Sequence, residues 1–170
     1  MKNRIAASIA LAAAIALGAS GCSLIAHNGT EVSYAPSDGV EVTAKGVALR
    51  NIILIEAKDG ENFNVVFTGV NTTGGPVDVK IDFEAGTAKA SVKFALPEGS
   101  TSFGDLGEDQ PVVVATLPAL KAGASAKAYF TINGEGGHEE FVPVLDGTLL
   151  EYTQFVLYPG QTASTGDAAK

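Results

Sequence analysis

Val77-Asp78-Val79-Lys80-Ile81-Asp82-Phe83-Glu84 decides the fold. Apolar and charged residues alternate strictly along it. A period of two turns successive side chains to opposite faces, so this stretch is a strand with one face in a core and one in water. The pattern returns downstream. Ala90, Val92, Phe94 and Leu96 alternate with Lys89, Ser91, Lys93 and Ala95; Ala126, Ala128, Phe130 and Ile132 alternate with Ser125, Lys127, Tyr129 and Thr131. Sheets wetted on one face are characteristically antiparallel. Three further runs, Val47–Ala57, Phe63–Val70 and Val112–Leu117, are apolar on both faces and read as more central strands. Turn signals punctuate the runs: Asp59-Gly60, Thr73-Gly74-Gly75-Pro76, Ala85-Gly86, Pro97-Glu98-Gly99 and Gly134-Glu135-Gly136-Gly137. No amphipathic helix of more than two turns is visible, and the best helical candidate is a single turn near Thr148–Tyr152.

This spacing predicts an all-β domain, an immunoglobulin-like antiparallel β-sandwich of about 7–9 strands over residues 40–159. No helical segments separate the strands, which disfavours a parallel α/β fold. With no Trp and one Cys in the chain, the core pin of antibody domains is missing. Phe63, Phe67, Phe83, Phe94, Phe130 and Phe141 are expected to fill that volume. Pro143 cannot donate to a ladder and marks an edge strand or a bulge. Asn71 is expected to serve the turn before Pro76 through its side-chain amide.

Working outward, the N-terminus reads as an address. Lys2 and Arg4 precede an uncharged run from Ile5 to Leu17. That run makes about 20 Å of helix, short of a bilayer core and of signal-peptide length. Gly18-Ala19-Ser20-Gly21-Cys22 follows. Small residues before a single Cys resemble a bacterial lipobox, which implies cleavage after Gly21 and a diacylglyceryl group on the Cys22 sulfur. Ala19 stands where lipoboxes usually carry Leu. The alternative is an ordinary secretory signal with an unrelated Cys. The expected organisation is therefore a lipoprotein signal peptide over 1–21, a lipid-anchored tether over 22–39, the sandwich, and a disordered tail over 160–170. The tether would reach about 60 Å extended, or roughly 20–25 Å on average if flexible. The chain carries a net charge of -8, and removing Lys2 and Arg4 takes it to -10. Such a chain is repelled by nucleic acid and by anionic lipid, so the lipid on Cys22 is the expected partner of the membrane.

Two sets of residues resemble known proteins. Val65–Val79 is similar to a hairpin of exported bacterial Ig-like modules. A longer set comprises Tyr34–Val40, Leu49-Arg50-Asn51, Leu117–Gly123, Val142–Leu149 and Tyr152. It resembles a group of small actinobacterial surface lipoproteins, the LpqE-like group. That resemblance implies a compartment and a fold rather than an activity. The group is in turn similar to the periplasmic copper chaperones, which hold copper on Met and His because thioether and imidazole suit Cu(I). Beyond the signal segment this chain has no Met, and its two His are His27 and His138, so no copper site carries over.

Other chemistry is sparse. His138 and Glu140 would share a face of a strand, with Glu139 opposite, which is at most half of a metal site. Asp105, Glu108 and Asp109 crowd one loop without the spacing of a named calcium loop. Asn28-Gly29-Thr30 and Asn71-Thr72-Thr73 match the glycosylation pattern by chance. There is no GxSxG, HExxH or P-loop, so no enzyme, catalytic residue, cofactor or metal is expected. Of the four Tyr (Tyr34, Tyr129, Tyr152 and Tyr158), Tyr129 lies on the polar face of its strand, where it could anchor a partner or cover an edge. The expected function is a membrane-anchored, non-enzymatic binding or accessory module of the cell envelope, with an envelope protein or wall polymer as ligand. Copper or calcium handling at the envelope is the alternative.

Overall fold

The computed structural model describes residues 2–19, 37–107 and 110–161. Cys22, His27, Asn28, Tyr34, Glu108 and Asp109, with most of the tether and tail, lie outside the described residues. The chain separates into two compact units, Met1–Tyr34 and Ala35–Lys170.

The first unit contains α1, Lys2–Ala19, an 18-residue helix. Its Ala, Leu and Ile residues are good to moderate helix formers. Ile5, Ile9, Leu11 and Ile15 are all exposed. No helix among the described residues is long and apolar enough to cross a membrane.

The second unit is the expected all-β sandwich. Its nine strands among the described residues are β1 (Val40–Ala44), β2 (Val47–Glu56), β3 (Asn62–Asn71), β4 (Val77–Ala85), β5 (Ala88–Leu96), β6 (Gly99–Phe103), β7 (Val114–Thr116), β8 (Ser125–Ile132) and β9 (Glu135–Leu145). They form one path, β5-β4-β8-β9-β2-β3-β6, with β1 on β2 and β7 on β3. Every pairing is antiparallel except β2 with β9, where Leu54 and Ile55 run parallel to Val144 and Leu145. The bend at β9 brings the two halves of the path together as layers. Val47, Leu49, Phe63 and Phe67 of one half share a core with Ile81, Phe83, Val92 and Phe130 of the other. Phe67 stacks on Phe103 at 4.4 Å, and Phe94 tilts against both at 5.1 Å.

β2 is apolar on both faces because both are covered. A register shift between Arg50 and Ile53 changes its phase. Val47 and Leu49 before the shift, and Ile52 and Leu54 after it, face the central core. Ile53 and Ile55 are turned outward and pack under Tyr152 of a 3-10 helix, Leu150–Phe155, and under Val156 just after it. Asn51 takes a positive φ of 53° at the shift, and its Oδ1 accepts the Gly39 N–H at 2.8 Å. A Cβ on Gly39 would stand 2.5 Å from the Asn51 carbonyl carbon, so the chain passes there only as glycine.

Three expectations are corrected. Phe141 is 62% exposed and fills no core; the third member of the aromatic cluster is Phe103. Val112–Leu117 is not a central strand: only Val114–Thr116 is paired, on β3 alone. Pro143 is not on an edge strand. It sits where β9 leaves β8 for β2, opposite Ser125, and the next N–H, of Val144, carries the bond to the Ala124 carbonyl at 3.0 Å. The predicted turn at Thr148–Tyr152 is realised as the 3-10 helix, two residues later.

Candidate functional site

The strand pattern that builds the core also builds its opposite face. Inward side chains of β4, β5 and β8 are apolar, so everything polar on them is displayed on one open surface. Cross-strand pairing arranges that surface in rows. Lys80 stands between Lys93 and Thr131; Asp82 between Ser91 and Tyr129, with Glu139 beyond; Glu84 between Lys89 and Lys127, with Phe141 beyond.

Charges on this face are largely matched, mostly between neighbouring rows. Lys80 Nζ meets Asp82 Oδ2 at 2.6 Å, Lys89 Nζ meets Glu84 Oε1 at 2.5 Å, and Lys127 Nζ meets Glu139 Oε1 at 2.9 Å. Lys127 also lies 5.1 Å from the centre of the Tyr129 ring. Tyr129 and then Glu139 hold the Lys127 ammonium above the usual lysine range. The Lys80 hydrogen bond, with Ser91 and Lys93 behind it, holds the Asp82 carboxyl below the usual carboxylate range. These exposed pairs add little stability individually, of order 0–1 kcal/mol. They matter more by fixing side chains in a definite layout.

At one end of this face an open groove of about 460 Å³ runs between Asp78, Lys80, Lys93, Ala95, Thr131 and Gly134. Two ammonium groups, one hydroxyl and one carboxylate line it. Lys80 and Lys93 are direct cross-strand neighbours, a like-charge pairing that costs stability unless offset. Asp82 offsets Lys80, leaving Lys93 as the exposed cation of the groove. Such a surface can hold a polar or mixed-charge ligand by hydrogen bonds and ring contacts.

The residues singled out in sequence fall as follows. His138 and Glu140 lie on one side of β9, opposite Phe130 and Ala128, while Glu139 pairs with Lys127 on the other. Asp105 is in a loop, where its Oδ1 accepts the Gly107 N–H at 2.9 Å. Among the described residues no three His, Cys, Asp or Glu are grouped to hold a metal ion. Tyr129 is on the open face, half-buried by its neighbours. Asn71 acts as expected of a turn residue: its Nδ2 donates to Gly75 O and Leu96 O, at 2.8 and 2.9 Å.

Two features had no signal in the sequence. Tyr152 donates its hydroxyl to Asp38, 114 positions away. That bond, with burial, pushes the Tyr152 pKa up to about 12. Asn64, fully buried in β3, donates to Gly104 O at 2.7 Å and Phe155 O at 2.9 Å, tying the loop after β6 to the 3-10 helix. Its Oδ1 has no hydrogen-bond partner among the described residues.

Fold and face together define a small β-sandwich domain with one open, mixed-charge sheet surface. No known protein-family profile matches the chain, and no curated protein matches it. Among solved structures it is similar to the apo PCuAC domain from PmoF1, at 17% identity and a TM-score of 0.46 over 61% of this chain and 97% of that one. It is also similar to the copper-bound PCuAC domain from PmoF2, at 13% identity and a TM-score of 0.43 over 62% and 97%. The apo PmoF2 domain gives 13%, 0.43, 64% and 97%. Likeness of this degree concerns the fold alone.

Proposed function

We propose that this chain is a surface lipoprotein anchored through Cys22, whose β-sandwich serves as a non-enzymatic binding or accessory module of the cell envelope. The observation that carries the reading is the open face of β5-β4-β8-β9. Tyr129, Lys127, Glu139 and Phe141 form an aromatic and charged platform there, beside the groove of Lys80 and Lys93. Tyr is enriched in binding surfaces because it brings a large amphipathic ring at little entropic cost. The Gly18–Cys22 motif supports the anchor. The ligand class is an envelope protein or a wall polymer.

A photo-crosslinking residue placed at Tyr129, in cells, tests the reading against the same residue at Lys121, in the loop before β8. Adducts to one envelope protein or polymer from position 129, and none from 121, are expected. No adduct from 129, together with no retention of the protein on isolated cell wall, overturns the module. An unmodified Cys22 thiol in the native protein overturns the anchor.

One of the similar solved domains, that from PmoF2, is copper-bound. Calorimetry with Cu(I), Cu(II) and Ca²⁺ separates a metal-handling role from the one proposed. Affinity tighter than about 10⁻⁴ M, the weak end for extracellular calcium modules, would favour metal handling.

A further inference from the structure

The most exposed large apolar side chain of the β-domain is Leu150, at 84%, and its neighbour Leu149 is 56% exposed. A lone surface Leu means nothing. These two are adjacent, and a structured turn presents them. The Tyr152 N–H donates to Leu149 O at 3.0 Å, and Thr153 Oγ1 donates to Leu150 O at 2.8 Å. Tyr152 and Val156 sink into the cluster over Ile53 and Ile55, so the turn is fixed to the sheet and the leucines are held outward.

The same turn holds the point where the chain enters the domain. Tyr152 donates its hydroxyl to Asp38, and the Gly39 N–H is held by Asn51. Asp38 is 16 positions from Cys22. Even fully extended, that length spans no more than about 55 Å. The leucine corner is therefore attached next to the part of the domain closest, along the chain, to the lipid. The carboxylates on this stretch, Asp38, Asp146 and Glu151, exclude attraction to an anionic surface, although Lys58 lies near Asp146. A contact with lipid at this corner must be apolar.

We infer that Leu149 and Leu150 form a bilayer-contacting corner, which enters the boundary between headgroups and acyl chains of the leaflet holding the anchor and so orients the domain. The inference rests on the reading of Cys22 as acylated. Three carboxylates against the single Lys58 leave the corner net acidic, so the contact operates on zwitterionic membranes and weakens as anionic lipid is added.

The chain has no Trp, which permits single-tryptophan probes. Natively lipidated full-length L150W and E135W are reconstituted into zwitterionic vesicles containing brominated lipid, and flotation and fluorescence are read together. Glu135 is exposed at the start of β9, whose 11 residues carry the chain about 35 Å toward the leucine corner. Both variants are expected to float, with L150W emission blue-shifted and quenched by bromolipid, and E135W unaffected. Floating protein with L150W no more quenched than E135W overturns the corner and leaves the anchor standing. Protein that does not float, with an unmodified Cys22 by mass spectrometry, overturns the anchor and the corner with it. Shielding of L150W in native membranes but not in vesicles assigns the corner to a protein partner and overturns the lipid contact.

Discussion

Replacing Asn71 with Ala is expected to destabilise the β-domain by about 3 kcal/mol, counted from the groups it leaves behind. The side chain is 1% exposed and holds four contacts. Its Nδ2 serves the Gly75 and Leu96 carbonyls, and its Oδ1 accepts from Thr73 N–H at 3.0 Å and Thr73 Oγ1 at 2.8 Å. Only the bond to Leu96 O is fully buried. Stripping a buried acceptor of its donor costs about 1–3 kcal/mol, whereas groups that can turn to water lose only the net value of a hydrogen bond, about 1 kcal/mol or less. One orphaned carbonyl at about 2 kcal/mol, plus about 1 kcal/mol for the loosened turn, gives the total. With a urea m-value of about 1.5 kcal/mol/M, the unfolding midpoint falls by about 2 M. Urea unfolding followed by tyrosine fluorescence reads this directly. Thr73→Ala keeps both Nδ2 bonds and is expected to cost about 1 kcal/mol or less. An Asn71→Ala loss below about 1 kcal/mol at unchanged m-value would show that Leu96 O finds another donor. Burial of Leu96 O would then not set the cost.

Gly69→Ala places a Cβ 2.5 Å from Leu96 Cδ1, the end of a side chain with no exposure. It is expected to cost about 1–3 kcal/mol in the same assay, and a neutral result would mean that β3 and β5 can separate. Tyr152 should titrate near 12, because ionising it breaks the hydrogen bond to Asp38 and places a second negative charge against that carboxylate. A folded pKa raised above the unfolded value of about 10 contributes stability that is complete below pH 10 and lost as the pH rises through 12. Tyr152→Phe should remove a step near pH 12 from the absorbance titration and flatten the fall in stability between pH 10 and 12; persistence of that step would show that it does not belong to Tyr152.

Much of the sandwich was legible because burial on one face writes a period of two into the chain. The alternation at Val77–Glu84 specified both the core face and the charged face of β4, and the open platform is the second half of the same pattern. Legibility failed where the pattern does not say which of two apolar faces meets which neighbour. β2 reads as uniformly apolar, and only the shift at Asn51 and the 3-10 helix explain why Ile53 and Ile55 need cover. Phe141 misled because it falls one position out of phase with Val142 and Val144, the residues of β9 that are buried. Pro143 misled because a proline removes one N–H, and a strand that changes partners at that residue has no ladder bond there to lose. The Asp38–Tyr152 pair was beyond reach for a different reason. A polar contact between residues 114 positions apart depends on the whole topology, and neither residue type is unusual where it stands. Binary pattern therefore fixes which faces are wet, and long-range polar contacts fix where the chain enters and which corner stands proud. Here that entry and the exposed leucines meet at one turn, because Tyr152 both bonds Asp38 and packs over Ile53 and Ile55.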